Sequence, residues 1–224
     1  MKPRNLLFFA FLIGLAGCSA TVTSELVPKK TATYFESFRG FNIDSQNFDY
    51  LSTEAAIWVT SASGLVDTTQ RSQLGQGFQA ALGKAGFFPV FLNDIDISDR
   101  LAENRVIRKK TETFLDTLNS VTVSDKDLAN PVGAFLGVND FLVFHVAHWP
   151  CPSCEKQQKV RIKVRLVDAS TGLIVWTATA QRDTYQEDNP MEVAQELSEE
   201  LSKMFQQRFE LKWHKLRYLN LTKS

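Results

Sequence analysis

Two histidines and two cysteines follow one another at intervals of three residues, in the order His145, His148, Cys151 and Cys154. Imidazole nitrogens and thiolate sulfurs are the ligands that Zn²⁺ prefers, so this cluster could form a tetrahedral metal site. The last pair also has the C-x-x-C spacing of thiol oxidoreductases, and it could equally close a small disulfide ring. The sequence therefore leaves three chemistries open: metal binding, thiol–disulfide exchange and a structural bridge.

The other cysteine of the chain, Cys18, ends an apolar stretch near the amino terminus. The stretch at 6–15 follows Lys2 and Arg4 and falls well short of the roughly twenty residues that a spanning helix needs, which is typical of a secretory signal. Residues 15–18, Leu-Ala-Gly-Cys, resemble the bacterial lipobox. That resemblance implies cleavage before Cys18, a lipid thioether on its sulfur and acylation of its new amino group.

Lipidation at Cys18 also predicts where the protein is held. A single acyl chain binds a bilayer reversibly, whereas the several chains that a lipobox implies hold a protein essentially permanently. Ser19 occupies the position where aspartate would resemble an inner-membrane retention signal. We therefore expect outer-membrane anchoring on the periplasmic side. The expected organisation is a signal peptide at 1–17, a lipidated flexible tether at 18–30 and a single α/β domain at 31–224.

Export to the oxidising periplasm favours a disulfide between Cys151 and Cys154. Strand residues three apart point to opposite faces unless the strand ends or bulges between them, so His145 and His148 do not readily share one ion. A metal site would then use His148 with the two cysteines. Catalytic thiol pairs begin at a helix amino terminus, whereas this pair precedes a predicted strand. A structural bridge is the leading prediction, and metal binding and redox catalysis are the alternatives.

Bulk composition and missing motifs exclude several other classes of function. Removal of the signal leaves 23 basic and 25 acidic side chains, so no strong positive field is available to bind nucleic acid. Gly75-x-Gly77-x-x-Ala80 matches a dinucleotide fingerprint formally, but it lies inside a predicted helix rather than at its start. The sequence has no hydrolase, metalloprotease or P-loop motif. We expect neither catalysis nor a cofactor.

The first half of the predicted domain has a strand–helix–strand pattern. An apolar run at 55–59 predicts a strand, and Asp67 with Gln70 three residues later predicts the start of a helix that ends at Gly86. Residues 87–92 are apolar and predict a second buried strand near an edge, because they include a proline. Apolar residues at helical spacing predict one amphipathic helix over 98–119 with a basic outer face.

The second half predicts a three-stranded antiparallel meander and a long terminal helix. Residues 141–149 are apolar, those from 160 to 166 alternate in polarity, and a turn at 168–172 precedes a return strand at 173–180. Asn189 and Pro190 predict a helix start. An apolar stripe follows at helical spacing and must pack on a sheet or on a partner; its members are Ala194, Leu197, Leu201, Phe205, Phe209 and Trp213.

Basic side chains alternate with the apolar residues of the central meander strand. Arg161, Lys163 and Arg165 should project from one side of that strand, and a second basic group, Lys212, Lys215 and Arg217, lies near the carboxyl end. Solvated faces are the default interpretation. The functional alternative is docking to an acidic partner, to peptidoglycan or to lipid head groups near the anchor.

Short motifs across residues 55–181 resemble those of periplasmic lipoproteins related to the curli-secretion lipoprotein. They are the Asp168-x-x-Thr171-Gly172-x-x-x-Trp176 turn, the entry to the meander at 136–143 and the Gly-Phe-Phe helix exit at 86–88. The resemblance implies a mixed sheet backed by helices, like anticodon-binding domains and the amino-terminal domain of TolB. It also implies a non-catalytic role in outer-membrane assembly or secretion, with a protein partner or self-association. Two departures are the absence of alternating segments for membrane-spanning hairpins and a partly dissimilar segment at 93–101.

Overall fold

We describe a computed structural model that covers residues 32–38, 54–61, 65–84, 88, 90–121, 124–151, 158–185 and 188–221, with side chains as far as Phe209. Its elements are β1 (Thr33–Phe38), β2 (Ala55–Ser61), α1 (Thr68–Lys84), β3 (Phe91–Leu92), α2 (Asp94–Ala102), α3 (Arg105–Val121), α4 (Lys126–Leu136), β4 (Asp140–His148), β5 (Gln158–Asp168), β6 (Leu173–Thr184) and α5 (Pro190–Leu221). The strands form one sheet in the order β1-β6-β5-β4-β2-β3. The mixed α/β fold predicted from the sequence is confirmed.

The sheet has a different helical cover on each face. On the first face, α1 and α5 pack over alternate strand residues such as Ile57, Phe144 and Val164. On the second face, α2, α3 and α4 pack over the intervening residues, such as Trp58, Phe141 and Val143. This period of two follows from the pleat of a strand, and it creates two apolar cores separated by the sheet.

The structure confirms the predicted start of the helix in the strand–helix–strand unit. Asp67 accepts the backbone N–H of Gln70 at 2.8 Å, and the Gln70 side chain accepts the Asp67 N–H at 3.0 Å. A Cβ on Gly75 would lie 3.4 Å from Val59 Cγ2. Gly75 thus lies close to β2 and well inside α1, away from the free N–H groups at the helix start that a dinucleotide phosphate needs. The predicted helix stop at Gly86 lies outside the described residues.

The second predicted strand of this unit is much shorter than the apolar run suggested. Strand β3 contains Phe91 and Leu92 and forms the edge of the sheet next to β2. It ends at Asn93, whose side chain accepts the N–H groups of Ile95 and Asp96 and so caps α2. The strand ends where the sequence predicted and is shortened at its beginning, where Phe88 has a φ of 55°, outside the range of a strand.

The single amphipathic helix predicted over 98–119 is wrong, because two helices, α2 and α3, occupy this region. The Asn104 side chain accepts the N–H groups of Val106 and Ile107, both at 3.1 Å. It therefore starts α3 as a cap and interrupts the first helix. The basic outer face is confirmed on α3, where Arg105, Arg108 and Lys109 are exposed.

The antiparallel meander is confirmed, and it gains a fourth strand at its outer side. Strand β1 pairs antiparallel with β6 from Thr33↔Gln181 to Phe38↔Trp176. The turn between β5 and β6 is held by Asp168, which accepts the N–H groups of Ser170 and Thr171 at 2.8 and 3.0 Å. The sequence analysis missed β1 and also α4.

The apolar stripe of the last helix docks on the first face of the sheet. Asn189 caps α5 by accepting the Met191 N–H at 3.0 Å. The stripe from Ala194 to Phe209 is buried, with Phe205 and Phe209 each 1% exposed. The side chain of Trp213 lies outside the described residues. The prediction that the stripe packs on the sheet is confirmed for the described part of the helix.

Candidate interaction surface

Strand β5 positions the three basic residues that the sequence analysis singled out. Val160, Ile162 and Val164 enter the core of the first face, so the alternate residues Arg161, Lys163 and Arg165 project to the second face. The helices of that face pack over β2, β3 and β4, and over β5 and β6 at Val167 and Ile174. Among the described elements, no helix packs on the part of the second face formed by residues 161–163 of β5, 177–181 of β6 and β1.

Two rows of side chains cross this end of the sheet. One row runs through the register His145↔Lys163, Lys163↔Thr179 and Thr179↔Phe35. The next row runs through His148↔Arg161, Arg161↔Gln181 and Gln181↔Thr33. We call these eight residues the open face: His145, Lys163, Thr179, Phe35, His148, Arg161, Gln181 and Thr33.

A bulge in β4 brings the two histidines to the same face. The register between β4 and β5 shifts between Val146 and His148, so the extra residue restores His148 to the side on which His145 lies. The bulge is the exception that the sequence analysis allowed to the rule that strand residues three apart point to opposite faces. Lys163 and Arg161 pair with them across the strand, and repulsion from these cations disfavours a bound metal ion.

Arg165 differs from its two basic neighbours because it is buried. Its side chain is 1% exposed, and its Nη1 donates to Asn119 Oδ1 of α3 at 3.2 Å. Asn119 Nδ2 in turn donates to Thr60 Oγ1 at 3.0 Å, and His145 Nδ1 lies 3.1 Å from the same oxygen. Arg165 therefore lies between the part of the second face that α3 covers and the open face. It is not available as a partner-binding residue.

The surroundings of the open face disfavour the charged forms of its lysine and histidine side chains. Partial burial lowers the pKa of Lys163, and the neighbouring Arg165 and Arg161 lower it further. Burial also lowers the pKa of His145, with Arg165 and Lys163 adding to the effect. His148 behaves in the same way, next to Lys159 and Arg161. These histidines are therefore neutral at pH 7, and an acidic partner would relieve the repulsion among the cations.

Ion pairs with acidic side chains are present on the opposite face. Arg182 pairs with Glu196 of α5. Arg208 Nε donates to Glu36 at 3.0 Å, and Trp176 Nε1 donates to the same carboxylate at 2.7 Å. Glu36 belongs to β1, so these bonds fix the edge strand to α5. Glu36 and Glu196 thus lie on the first face. The second face also holds an acid, Asp183, which lies opposite Lys159 in the row next to Arg161 and Gln181.

Strand β1 adds an apolar part to the open face that the sequence analysis did not find. Phe35 is 58% exposed, whereas most of the chain's described phenylalanines are buried. Thr33 and Ser37 on the same side of the strand are also exposed. Edge strands with exposed aromatic residues can accept a further strand by backbone pairing. The arrangement is suited to binding an extended, acidic polypeptide segment.

The cysteine loop lies at the tip of the β4–β5 hairpin. Cys151 is disulfide-bonded, and its partner and Cys154 lie outside the described residues. The Gln158 side chain accepts the Cys151 N–H, and its Nε2 donates to the Cys151 carbonyl oxygen at 2.6 Å. The described ranges contain no group of three or more His, Cys, Asp or Glu side chains able to hold a metal ion. The pairing with Cys154 stays a prediction.

Several predicted site residues lie beyond the described part of the chain. They are Cys18 and the side chains of Lys212, Lys215 and Arg217. No described helix is both long enough and apolar enough to cross a bilayer.

Comparisons with known proteins give similarity of structure without similarity of sequence. No family model and no curated protein matches the chain. The PelC dodecamer from Paraburkholderia phytofirmans is similar over 76% of this chain and 94% of its own, with 13% identity and a TM-score of 0.44. The lipoprotein GNA1162 from Neisseria meningitidis is similar over 69% and 97%, with 14% identity and a TM-score of 0.41. The LpoB carboxy-terminal domain from Salmonella enterica is similar over 59% and 83%, with 11% identity and a TM-score of 0.36. Likeness at this level concerns the chain path, and it transfers no activity or partner to this protein.

Proposed function

We propose that the protein is a non-catalytic interaction lipoprotein of the bacterial cell envelope, held by lipid at Cys18 and binding an acidic protein segment on its open face. The observation that carries the proposal is the row formed by His145, Lys163, Thr179 and Phe35. It places a cation and an exposed aromatic ring in one row, on either side of the buried Thr179, on a part of the sheet face that no described helix covers.

Charge and burial together support an acidic protein segment as the partner. The pKa of Lys163 is already lowered by burial and by its arginine neighbours, so an incoming carboxylate meets a cation that lacks full hydration. Phe35 supplies apolar contact two strands away in the same row, and aromatic and arginine side chains supply much of the binding energy of protein interfaces. The edge of β1 offers backbone groups that an extended segment can pair with.

Lipidation and localisation belong to the same proposal. A lipid on Cys18 of a 207-residue mature chain, followed by the tether at 18–30, would hold a single domain from residue 31 onward near the outer membrane. Metabolic labelling with a fatty acid tests this part, because Cys18→Ser should abolish the label and release the protein from the membrane fraction. Equal labelling of the Ser variant would contradict it.

The open face is tested by crosslinking in cells. A photoreactive residue at Phe35 should capture a discrete partner, and a charge reversal at Arg161 and Lys163 together should abolish that product. The matched controls are a photoreactive residue at Val106, which is 66% exposed on α3, and the reversal of Arg105 and Lys109 on the same helix. Capture by Val106 in place of Phe35, or a product unaffected by the Arg161 and Lys163 reversal, would refute the proposal. A captured product of twice the chain mass would identify the partner as a second copy.

A further inference from the structure

A crevice lies at the carboxyl end of β2, and Thr60 in its lining also contacts His145 of the open face. Strands β2 and β3 are parallel neighbours, yet the helix that follows β2 packs on the first face and the helix that follows β3 packs on the second. After β2 the chain therefore turns towards the first face of the sheet, and after β3 it turns towards the second. In open α/β sheets this arrangement leaves a crevice between the two connections, and ligands bind there.

The crevice at this point is large enough for a small molecule. Its volume is about 840 Å³, within the range of about 300 to 1,000 Å³ that is typical of ligand pockets. Its apolar wall includes Trp58, Ile97 and Leu101, and hydroxyl groups of Thr68 and Ser72 line the side formed by α1. It therefore combines a surface for an apolar group with polar groups that can orient one.

Arg71 supplies a hydrogen-bond donor in the crevice wall that has no acceptor. Its Nη2 donates to Thr68 Oγ1 at 3.3 Å, but its Nε is buried and has no partner among the described residues. Buried donors are nearly always paired with protein, water or ligand. Because Nε has almost no accessible surface, a carboxylate bound in the crevice would accept from the terminal nitrogens of this guanidinium.

Asp94 supplies the opposite charge in the same wall. Its carboxylate accepts the backbone N–H of Val59 and lies close enough to Arg71 for their charges to interact. One N–H occupies a small part of the capacity of a carboxylate, which has about four lone-pair positions. Burial raises its pKa to about 6, so the group is ionised at pH 7 and poorly hydrated. An ammonium group is the natural partner for it.

The other ionisable groups of the crevice argue against a simple anion. Arg108 adds one more cation, while Asp99 and Glu112 add two more carboxylates. The lining therefore has a small excess of negative charge, which would repel a phosphate or a fatty acid. A molecule that carries both charges matches this lining.

We propose that the crevice binds the ammonium and carboxylate groups of one small apolar molecule, either a free α-amino acid or a short peptide. The carboxylate contacts Arg71, the ammonium contacts Asp94, and the apolar side chain lies against Trp58 and Leu101. The crevice uses none of the eight open-face residues, so its test does not depend on the partner proposed for that face.

Calorimetric titration of the full chain in detergent tests the site with L-leucine and with leucyl-leucine. N-acetyl-L-leucine lacks the ammonium and L-leucinamide lacks the carboxylate, so both should bind at least about 10-fold more weakly than L-leucine. Tighter binding of leucyl-leucine would assign the site to peptides and tighter binding of L-leucine to free amino acids; either outcome supports the shared chemistry.

Variants of the two charged residues localise the binding. Arg71→Gln and Asp94→Asn should each weaken binding of the preferred probe by at least about 10-fold, while the control Arg105→Gln on the exposed face of α3 should leave it unchanged. Melting curves check that each variant folds, and Arg71→Lys replaces Arg71→Gln if it does not. The proposal is overturned if neither probe saturates below about 10 mM, if the blocked analogues bind as well as L-leucine, or if folded Arg71 and Asp94 variants keep the parent affinity.

Discussion

Arg165 of β5 and Asn119 of α3 are joined by a hydrogen bond of 3.2 Å between the guanidinium Nη1 and the side-chain oxygen. The bond joins the central strand to the end of a helix that packs on the second face. It also separates two environments, because β5 is apolar and buried at Val167 on one side of Arg165 and carries the half-buried Lys163 on the other.

Removal of Asn119 should destabilise the fold at this boundary. In Asn119→Ala, Arg165 and Thr60 each lose a partner in a mostly buried setting, so the free energy of unfolding should fall by about 1 to 3 kcal/mol. Urea denaturation measures this change. The exposed Asp116 of the same helix offers a control, because Asp116→Ala should change the unfolding free energy little. Equal effects of the two substitutions would show that the bond contributes nothing specific.

Truncation of Phe205 should be among the most damaging changes in the chain. Its ring packs edge-on against Trp176, with centroids 5.2 Å apart, and lies 4.3 Å from the ring of Phe209. Phe205→Ala should cost about 3 to 5 kcal/mol, through lost burial and the cavity left behind. Chemical denaturation against the exposed Gln207→Ala control measures it. A near-neutral result accompanied by loss of self-association would mean that the stripe is a partner surface.

Asp94 should make stability decrease as pH rises. Its pKa is about 6 in the folded state against an ordinary 3.8, so between these values the folded state binds more protons than the unfolded state, and stability falls with increasing pH. Asp94→Asn keeps an acceptor for the Val59 N–H and should stabilise the protein by up to about 2 kcal/mol at pH 7.5, after allowance for partial exposure. That gain should shrink towards pH 4. A gain independent of pH would contradict this assignment.

Glu36 should have the opposite dependence. Its pKa is lowered chiefly by the hydrogen bond from Arg208, and also by that from Trp176, while burial opposes them. Its contribution is therefore present above its ordinary pKa of about 4.5 and is lost as pH falls through the lower folded value. Glu36→Gln should be less stable than the parent at pH 7 by about 1 kcal/mol or less. The two proteins should converge near pH 3 in thermal melts, and a constant difference across pH would refute this account.

Loss of the cysteine pair should alter the hairpin tip more than the fold. The ring predicted between Cys151 and Cys154 is short, so its closure restricts the unfolded chain little, and the double Ser variant should lose less than about 2 kcal/mol. The two hydrogen bonds between the Gln158 side chain and the Cys151 backbone would still hold the tip. Melting and metal analysis under oxidising conditions measure the effect. Stoichiometric zinc in the parent, lost together with folding in the variant, would make His148 a ligand instead.

The elements that the sequence predicts well are those whose pattern is imposed by burial. Alternation at Val160, Ile162 and Val164 and the helical stripe of α5 follow from cores that lie on one side of each element. Strand β1 escaped notice because it is an edge strand with aromatic residues on both sides, Tyr34 and Phe35, and so has no clear period. The sequence analysis therefore also missed the contribution of β1 to the open face.

Helix α4 was missed because Pro131 lies inside it. Proline cannot donate to the carbonyl of Asp127, and this oxygen lies within 3.5 Å of Lys110 Nζ from α3 instead. Such compensation by another helix is invisible in a local pattern. For the same reason the crevice could not be predicted, because Arg71 and Asp94 meet only through the packing of α1 and α2 around the end of β2. The open face was predicted in part, at Arg161 and Lys163.

The position of β1 has a mechanical consequence for a protein pulled from its amino terminus. The chain enters the sheet at Thr33 of β1, so tension from that side loads the outermost strand before any other. At the centre of β1, hydrogen bonds donated by Trp176 and Arg208 to Glu36 resist separation of this strand from the sheet. Failure of that clamp would detach β1 while leaving the five remaining strands and their two cores assembled. The edge strand is thus placed to separate first, before the other described strands, when the amino terminus is pulled.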